Sequence, residues 1–235
     1  MKKILKSYLL FLVFVTGFVQ ARDWRTEQIV PLPVFPKGFA ISLDFEHIHD
    51  GLIPSKSIFP LYVPLGDLEL RMARLRRVVM IQHGESLFIP HSSVLDPNGK
   101  KWACFVQFYA GSDGLIVSQC NQTDGYAIYI VDGIIHAAIH NRGQTVVLCE
   151  KMGGGIGKAF RKRITVVLEI DKDKTFLLVN RTLVAHAELK KAFSGKNFFI
   201  QIGENKNILP ALKQIPKFPK NGFSGAISAF KIIRQ

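Results

Sequence analysis

Tyr126-Ala-Ile-Tyr-Ile-Val131 is followed by Asp132-Gly133, then by Ile134-Ile-His-Ala-Ala-Ile-His140 and Asn141-Arg-Gly143. Short apolar runs that alternate with period two, broken by Asp-Gly and Asn-x-Gly, are the pattern of antiparallel hairpins, because those turn residues accept the positive φ that tight connections demand. The pattern continues outward. Arg163-Ile-Thr-Val-Val-Leu-Glu-Ile170 runs into Asp171-Lys-Asp-Lys174 and then Thr175-Phe-Leu-Leu-Val179. Residues 39–45, 100–110, 115–120, 198–202 and 223–233 read as further strands. Many such units at short spacing predict an all-β fold, a β-sandwich or a barrel.

Around these strands the reading is coarser. Prolines and Gly51 make 50–64 a long loop. Residues 68–77 fit either a short helix or a strand and turn. Val78-Val-Met-Ile81 and Ser86-Leu-Phe-Ile89 form an expected hairpin around His83-Gly84-Glu85. Residues 151–158 are a Gly-rich loop, 188–193 a helical turn, and 208–222, with Pro210, Pro216 and Pro219, a lysine-bearing loop.

The first residues have the form of an export signal. Lys2, Lys3 and Lys6 precede an apolar core from Tyr8 to Val15, and Val19-Gln20-Ala21 fits the small-x-small cleavage rule. The expected organisation is a signal peptide over 1–21, an extended Pro-rich lead-in over 22–38 and one β-sandwich domain over 39–235. The apolar run is short against the roughly 20 residues of a bilayer span, so cleavage is expected, with no membrane span remaining and a secreted or periplasmic product.

The chain carries 31 Lys+Arg against 18 Asp+Glu. Losing the three signal lysines leaves 28 against 18, a net charge of about +10. Such an excess favours anionic partners: carboxylated or sulfated extracellular polysaccharide, lipid head groups or cell-surface polymers. Nucleic acid is not expected, since an exported protein rarely meets it as a functional ligand. Export permits disulfides, but Cys104, Cys120 and Cys149 are odd in number and form no CxxC motif. The reading favours three reduced apolar fillers, with a Cys104–Cys120 pair as the alternative.

The order of elements resembles a family. Gly84-Glu-Ser-Leu-Phe-Ile-Pro90 followed by Leu95-Asp-Pro97 is similar to the entry of a laminin-G-like, concanavalin-A-like jelly-roll domain of the bacterial secreted type. Asp113-Gly-Leu-Ile-Val117 and residues 124–133 resemble its hairpins. Residues 164–168 and 177–183 resemble its paired strands around an x-Val-Asn-Gly turn, with Arg181 in place of the glycine, and Gln201-Ile-Gly203 and Phe223-Ser-Gly-Ala-Ile227 its closing strands. The likeness covers about residues 39–235 and rests on turn and core positions, so it implies the fold, a two-sheet antiparallel jelly-roll β-sandwich, and is nearly silent on ligand. It implies lectin-like binders, adhesion modules, domains attached to glycan-processing enzymes and a few enzymes. It also implies calcium at a loop between sheets in many members; Asp113, Asp124 and Asp132 lie in turns here, without a clustered acidic signature.

Candidate site residues follow from alternation. In 134–140, Ile135, Ala137 and Ile139 form the core face, which leaves His136 and His140 about 7 Å apart on the other. Gln107 and Tyr109 share one face of their strand, and Gln201 interrupts the apolar set of another. Were these faces to coincide, they would make a polar, aromatic-edged sheet for sugar hydroxyls. Arg71, Arg74 and Arg77, with Arg76, form the densest basic cluster and are expected as peripheral contacts to sulfate or carboxylate; Arg161-Lys-Arg163 is a second. Two histidines without a third ligand do not make a metal site. Glu169 and Asp171 share a face, as the two carboxylates of a glycoside hydrolase would, but the third acidic position is Asp173, and the run Asp171-Lys-Asp-Lys174 has the form of a solvated turn. The expected function is therefore a secreted non-catalytic binding module for an anionic extracellular carbohydrate. The alternatives are an accessory protein docking onto a secreted partner enzyme and, behind it, a glycoside hydrolase.

Overall fold

A computed structural model describes residues 39–56, 61–73, 75–97, 101–150, 162–193, 199–204 and 206–234. The expected signal peptide and lead-in, the Gly-rich 151–158 segment, Arg74 and Arg161 lie outside them. In chain order the strands are β1 (Phe39–Ser42), β2 (Leu52–Pro54), β3 (Tyr62–Pro64), β4 (Leu70–Ala73), β5 (Arg76–Ile81), β6 (Leu87–Ile89), β7 (Trp102–Ala110), β8 (Gly114–Cys120), β9 (Gly125–Val131), β10 (Ile134–Asn141), β11 (Gln144–Cys149), β12 (Arg163–Asp171), β13 (Lys174–Val179), β14 (Thr182–Glu188), β15 (Phe199–Ile202) and β16 (Gly225–Arg234), with a 3-10 turn at Ser93–Leu95 and a short α-helix, α1 (Pro210–Lys213), before β16. An eight-stranded sheet runs β14-β13-β12-β7-β16-β5-β4, with β1 also on β16. A six-stranded sheet runs β11-β10-β9-β8-β15-β6, and β2-β3 form a separate hairpin. The two large sheets pack as the expected antiparallel β-sandwich.

Alternation decides what lies between them. Val106, Phe108, Val166 and Leu168 from the eight-stranded sheet meet Ile128, Ile130, Ile135 and Ile139 from the other in one buried layer. Trp102 and Tyr126 cross that layer edge to face, their rings 5.0 Å apart, and the Trp102 indole N–H donates to the Leu95 carbonyl at 3.2 Å. The hairpin turns match their sequence. Asp132-Gly133 and Arg142-Gly143 both have positive φ, and so do Asn180 (50°) and Arg181 (74°), which join β13 to β14 without a glycine.

The chain departs from the sequence reading in three places and decides between its two alternatives in a fourth. The 81–86 segment is not a hairpin: β5 belongs to the eight-stranded sheet and β6 to the six-stranded one. Val79 and Ile81 on one side and Leu87 and Ile89 on the other all enter the same core, a pattern that a strand beside its partner and a strand across from it satisfy equally. The 50–64 stretch holds the β2-β3 hairpin, whose middle residues Ile53 and Val63 are fully buried. Of the two readings for 68–77, strand and turn is correct, since β4 pairs with β5. No helical turn forms at 188–193; Leu189 and Phe193 instead bond back to the Asp173 and Lys172 carbonyls.

Three glycines fix a seam where the sheets are joined. Leu115 donates to the Asn221 carbonyl at 3.2 Å, Phe223 to the Leu115 carbonyl at 3.0 Å and Gly203 to the Ile116 carbonyl at 2.9 Å. A Cβ on Gly222 would overlap the Gly203 carbonyl, and one on Gly114 would overlap the Gly222 carbonyl. Backbone passes over backbone there with no room for a side chain. Gly222→Ala is expected to destabilise the fold by about 3 kcal/mol or more. Gly66→Ala, at a position with φ of 61° and open space around it, is expected to cost about 1 kcal/mol. Urea midpoints compare the two. Arg181→Gly is expected to raise the midpoint by relieving the left-handed strain of a non-glycine residue.

Candidate functional site

His136 and His140 emerge on the outer face of the six-stranded sheet, opposite the core-facing Ile135, Ala137 and Ile139, as alternation requires. That face is not an open polar surface. Its middle is apolar (Leu115, Cys120, Ala127, Tyr129 and Ala138), and residues 208–218 lie across it with Ile208, Leu209 and Leu212 buried. Pro210 stands in the first turn of α1, where its missing N–H costs nothing. The apolar residues of this cap, Leu209, Leu212, Ile215 and Phe218, recur every third position. That spacing was present in the sequence, but the surrounding prolines marked the segment as a loop. The cap divides the face into two ends.

At one end His140 opens into a cleft of about 540 Å³, rimmed by Gln122, Thr123, Asp124, Arg142 and the cap residues Leu209–Ala211. Two turns build it. Asn121 accepts the backbone N–H groups of Thr123 (2.8 Å) and Asp124 (2.7 Å). Asp124 then reaches across to accept the Arg142 N–H at 2.6 Å and takes the Thr123 hydroxyl at 2.8 Å. His140 Nδ1 shares a proton with the Thr145 hydroxyl at 2.8 Å, which leaves its other ring nitrogen for a ligand. The result is a carboxylate, an imidazole, a hydroxyl, an amide and a guanidinium around one concave space. Asp124, Arg142, Thr123 and Gln122 were not among the residues expected from sequence, because they sit in turns whose convergence depends on the β8-β9 and β10-β11 registers.

At the other end His136 lies flat on Tyr129, ring centroids 5.1 Å apart and planes within 5°, while Tyr129 meets Phe218 of the cap at 4.8 Å. His136 Nε2 is buried and has no hydrogen-bond partner among the described residues. Nearby, Lys217 of the cap pairs with Asp132 at 2.8 Å, and Asp113 accepts the Asp132 and Gly133 N–H groups at 2.7 and 3.1 Å. The two histidines thus serve different ends of one face.

The other expected residues are not gathered there. Gln107 and Tyr109 stand on β7, in the other sheet, and face outward on its far side, since Val106 and Phe108 face the core. The expected coincidence of faces fails because β7 and β10 lie in different sheets, with the whole core between them. Gln107 is held by the Thr165 hydroxyl, to which it donates at 3.0 Å, and accepts from Ser228 at 3.3 Å. Gln201 is buried beside Ser86 and Glu204. Arg71 is bound to Glu69 at 2.7 Å, and Arg77 donates to the Glu46 carbonyl at 3.3 Å. Glu169, largely buried, pairs with Lys101 at 3.1 Å. Among the described residues no three His, Cys, Asp or Glu side chains converge as a metal site would require. Asp113, Asp124 and Asp132 each tie a turn or the cap. The cysteines are free, and burial pushes the Cys104 thiol up to about 12 and the Cys120 thiol up to about 11.

No family model matches the chain, and no curated protein matches it. Solved structures do. A botulinum neurotoxin type C structure, described by cell entry "dependent upon interaction with two ganglioside molecules", aligns over 84% of this chain and 48% of its own, at 14% identity and a TM-score of 0.63. The binding domain of serotype D/C aligns over 83% and 48%, at 13% identity and a TM-score of 0.61. The type G receptor binding domain aligns over 83% and 47%, at 10% identity and a TM-score of 0.58. The chain spans about half the length of these solved chains. At such identities the likeness shows the fold, a β-sandwich. Among the described residues no helix is long and apolar enough to cross a membrane.

Two predictions follow from the cap. Leu212→Ala removes its buried anchor and is expected to cost about 2 kcal/mol, read by urea denaturation. Burial lowers the pKa of His136 below its ordinary 6.5; Asp132 and Asp113 oppose that shift without cancelling it, and Lys217 adds to it. The unfolded chain therefore takes up this proton more readily than the folded one. The contribution of His136 is complete above about pH 6.5 and is lost as pH falls through its lower folded value. Tm is expected to fall between pH 7 and 5, and less steeply in His136→Phe, which keeps the ring stack on Tyr129.

Proposed function

We propose that the chain is a secreted, non-catalytic binding module whose ligand is an anionic extracellular carbohydrate, held in the cleft at His140. The cleft carries the reading. Its volume falls in the range of about 300–1,000 Å³ common for ligand sites, and its rim alternates acceptors and donors: Asp124, the Thr123 hydroxyl, the Gln122 amide, the free nitrogen of His140 and the Arg142 guanidinium. Such a set suits the vicinal hydroxyls of a sugar, each of which donates one hydrogen bond and accepts others. Arg142 and the net positive charge of the chain favour a carboxylate or sulfate on that sugar. The glycan named with one of the structurally similar toxin chains lends the reading support of kind. The engagement of Glu169 by Lys101 favours binding over hydrolysis.

The test is a screen of the purified protein against neutral, carboxylated and sulfated polysaccharides at low and moderate salt. Binding to an anionic class is expected, weakening as salt rises. Asp124→Asn is expected to weaken it by roughly tenfold, the worth of one charge-assisted hydrogen bond. Unchanged binding in both Asp124→Asn and His140→Ala would show that the cleft is not the site. Silence across the array, together with a stably co-purifying protein, would favour the accessory-protein reading instead.

A further inference from the structure

The hairpin of β4 and β5 outgrows the sheet that it ends. β4 is the last strand of the eight-stranded sheet, and it pairs with β5 from Leu70 opposite Val79 to Ala73 opposite Arg76. At the root, Leu70 packs against the central core, and Val78 and Val79 are buried. Toward the tip that burial is lost. Met72 shares the face of Leu70 by alternation, yet it is 63% exposed. Leu75, in the connection between the strands, is 92% exposed, the most of any large apolar side chain among the described residues. Apolar residues scattered singly over a surface are ordinary, but two of them at one projecting tip mark a place where something is met.

The surroundings of the tip are cationic. No acidic residue falls between Arg71 and Arg77, and Arg71, Arg76 and Arg77 are all exposed. Arg71 pairs with Glu69 at 2.7 Å and still keeps 59% of its side chain in solvent. Glu46 accepts the Arg77 backbone N–H at 3.0 Å, and its carbonyl takes the Arg77 guanidinium at 3.3 Å. Arg76 stands at the last paired position, directly beside Leu75 in the chain.

The two kinds of side chain together select one class of partner. A polysaccharide could use the arginines, but it has no apolar interior to receive Leu75 and Met72. A bilayer with an anionic surface offers both: head-group charge for the basic side chains and an acyl boundary beneath it for a short apolar tip. Arginine stems are long enough to keep their guanidinium groups at the head groups while their neighbours enter. The excess of 31 Lys+Arg over 18 Asp+Glu has the sign that draws the whole chain to such a surface.

We propose that the β4-β5 tip docks on an anionic lipid bilayer, with Leu75 and Met72 entering the interface and Arg76, Arg71 and Arg77 meeting the head groups around them. This goes beyond the carbohydrate reading and uses none of the cleft residues.

The experiment is flotation of the full chain with vesicles of phosphatidylcholine, alone or mixed with phosphatidylserine, at several salt concentrations. Dextran sulfate serves as a polyanion without an apolar interior. The wild type is expected to float with the phosphatidylserine vesicles and not with phosphatidylcholine alone. Met72→Ser/Leu75→Ser is expected to lose vesicle affinity by about tenfold or more while binding dextran sulfate as before. Arg76→Glu is expected to weaken vesicle binding by roughly tenfold and to flatten its salt dependence. Tm is expected to be unchanged in both, since each replaced side chain is exposed. Asp124→Asn, which alters only the cleft, is expected to float as the wild type does. A wild type that does not float with phosphatidylserine vesicles overturns the proposal, and so does full vesicle binding in Met72→Ser/Leu75→Ser. Equal loss of vesicle and dextran sulfate binding in that variant would make the tip a polysaccharide contact and overturn it too. If the variant keeps vesicle binding and sheds a co-purifying protein, the tip is a protein contact and the lipid assignment falls.

Discussion

The structure depends on one shared layer of side chains. Each strand of the two large sheets gives alternate residues to it, and Trp102 against Tyr126 spans it from one sheet to the other. Because that layer claims one face of every strand, whatever the protein binds must be met on the two outer faces or at the turns. Those faces have been treated differently. The six-stranded sheet has been closed over by the 208–218 cap, which confines access to its ends. The outer face of the eight-stranded sheet carries a second small apolar cluster (Ala103, Val167 and Leu178, with Phe105 and Phe176 packed against it).

The cap explains why a surface that looks uniform in sequence acquires distinct sites. Ala138, Ala127 and Leu115 give the middle of the face nothing polar to offer, so it is covered by Leu209 and Leu212. His140 at one margin then lies next to two turns, where Asn121 and Asp124 organise backbone groups. His136 at the other margin becomes a packing residue against Tyr129, with a buried ring nitrogen. Two histidines four residues apart on one strand thus differ in chemistry because of what lies over the strand between them.

Most strands were legible from alternation alone, since a half-buried strand writes its burial pattern directly into its residues: 134–140 and 163–170 are examples. What alternation does not encode is which sheet a strand joins. Val79, Ile81, Leu87 and Ile89 satisfy a hairpin and a crossover equally, and the choice is made by long-range pairing with β16 and β15. The same blindness separated Gln107 and Tyr109 from the histidines. The cleft was half legible: His140 was recognised by its face, while Asp124 and Arg142 acquired meaning only when two turns from different hairpins met.

The cysteines carry a last consequence. Cys104 points into the central layer, while Cys120 points out of the six-stranded sheet beneath the cap, so a backbone ladder stands between the two thiols. The native state holds no covalent cross-link between them. The unfolded chain has no such barrier. In an oxidising compartment a bond between these two residues would lock the chain out of its native topology. In such a compartment the sheets would have to close before the thiols meet.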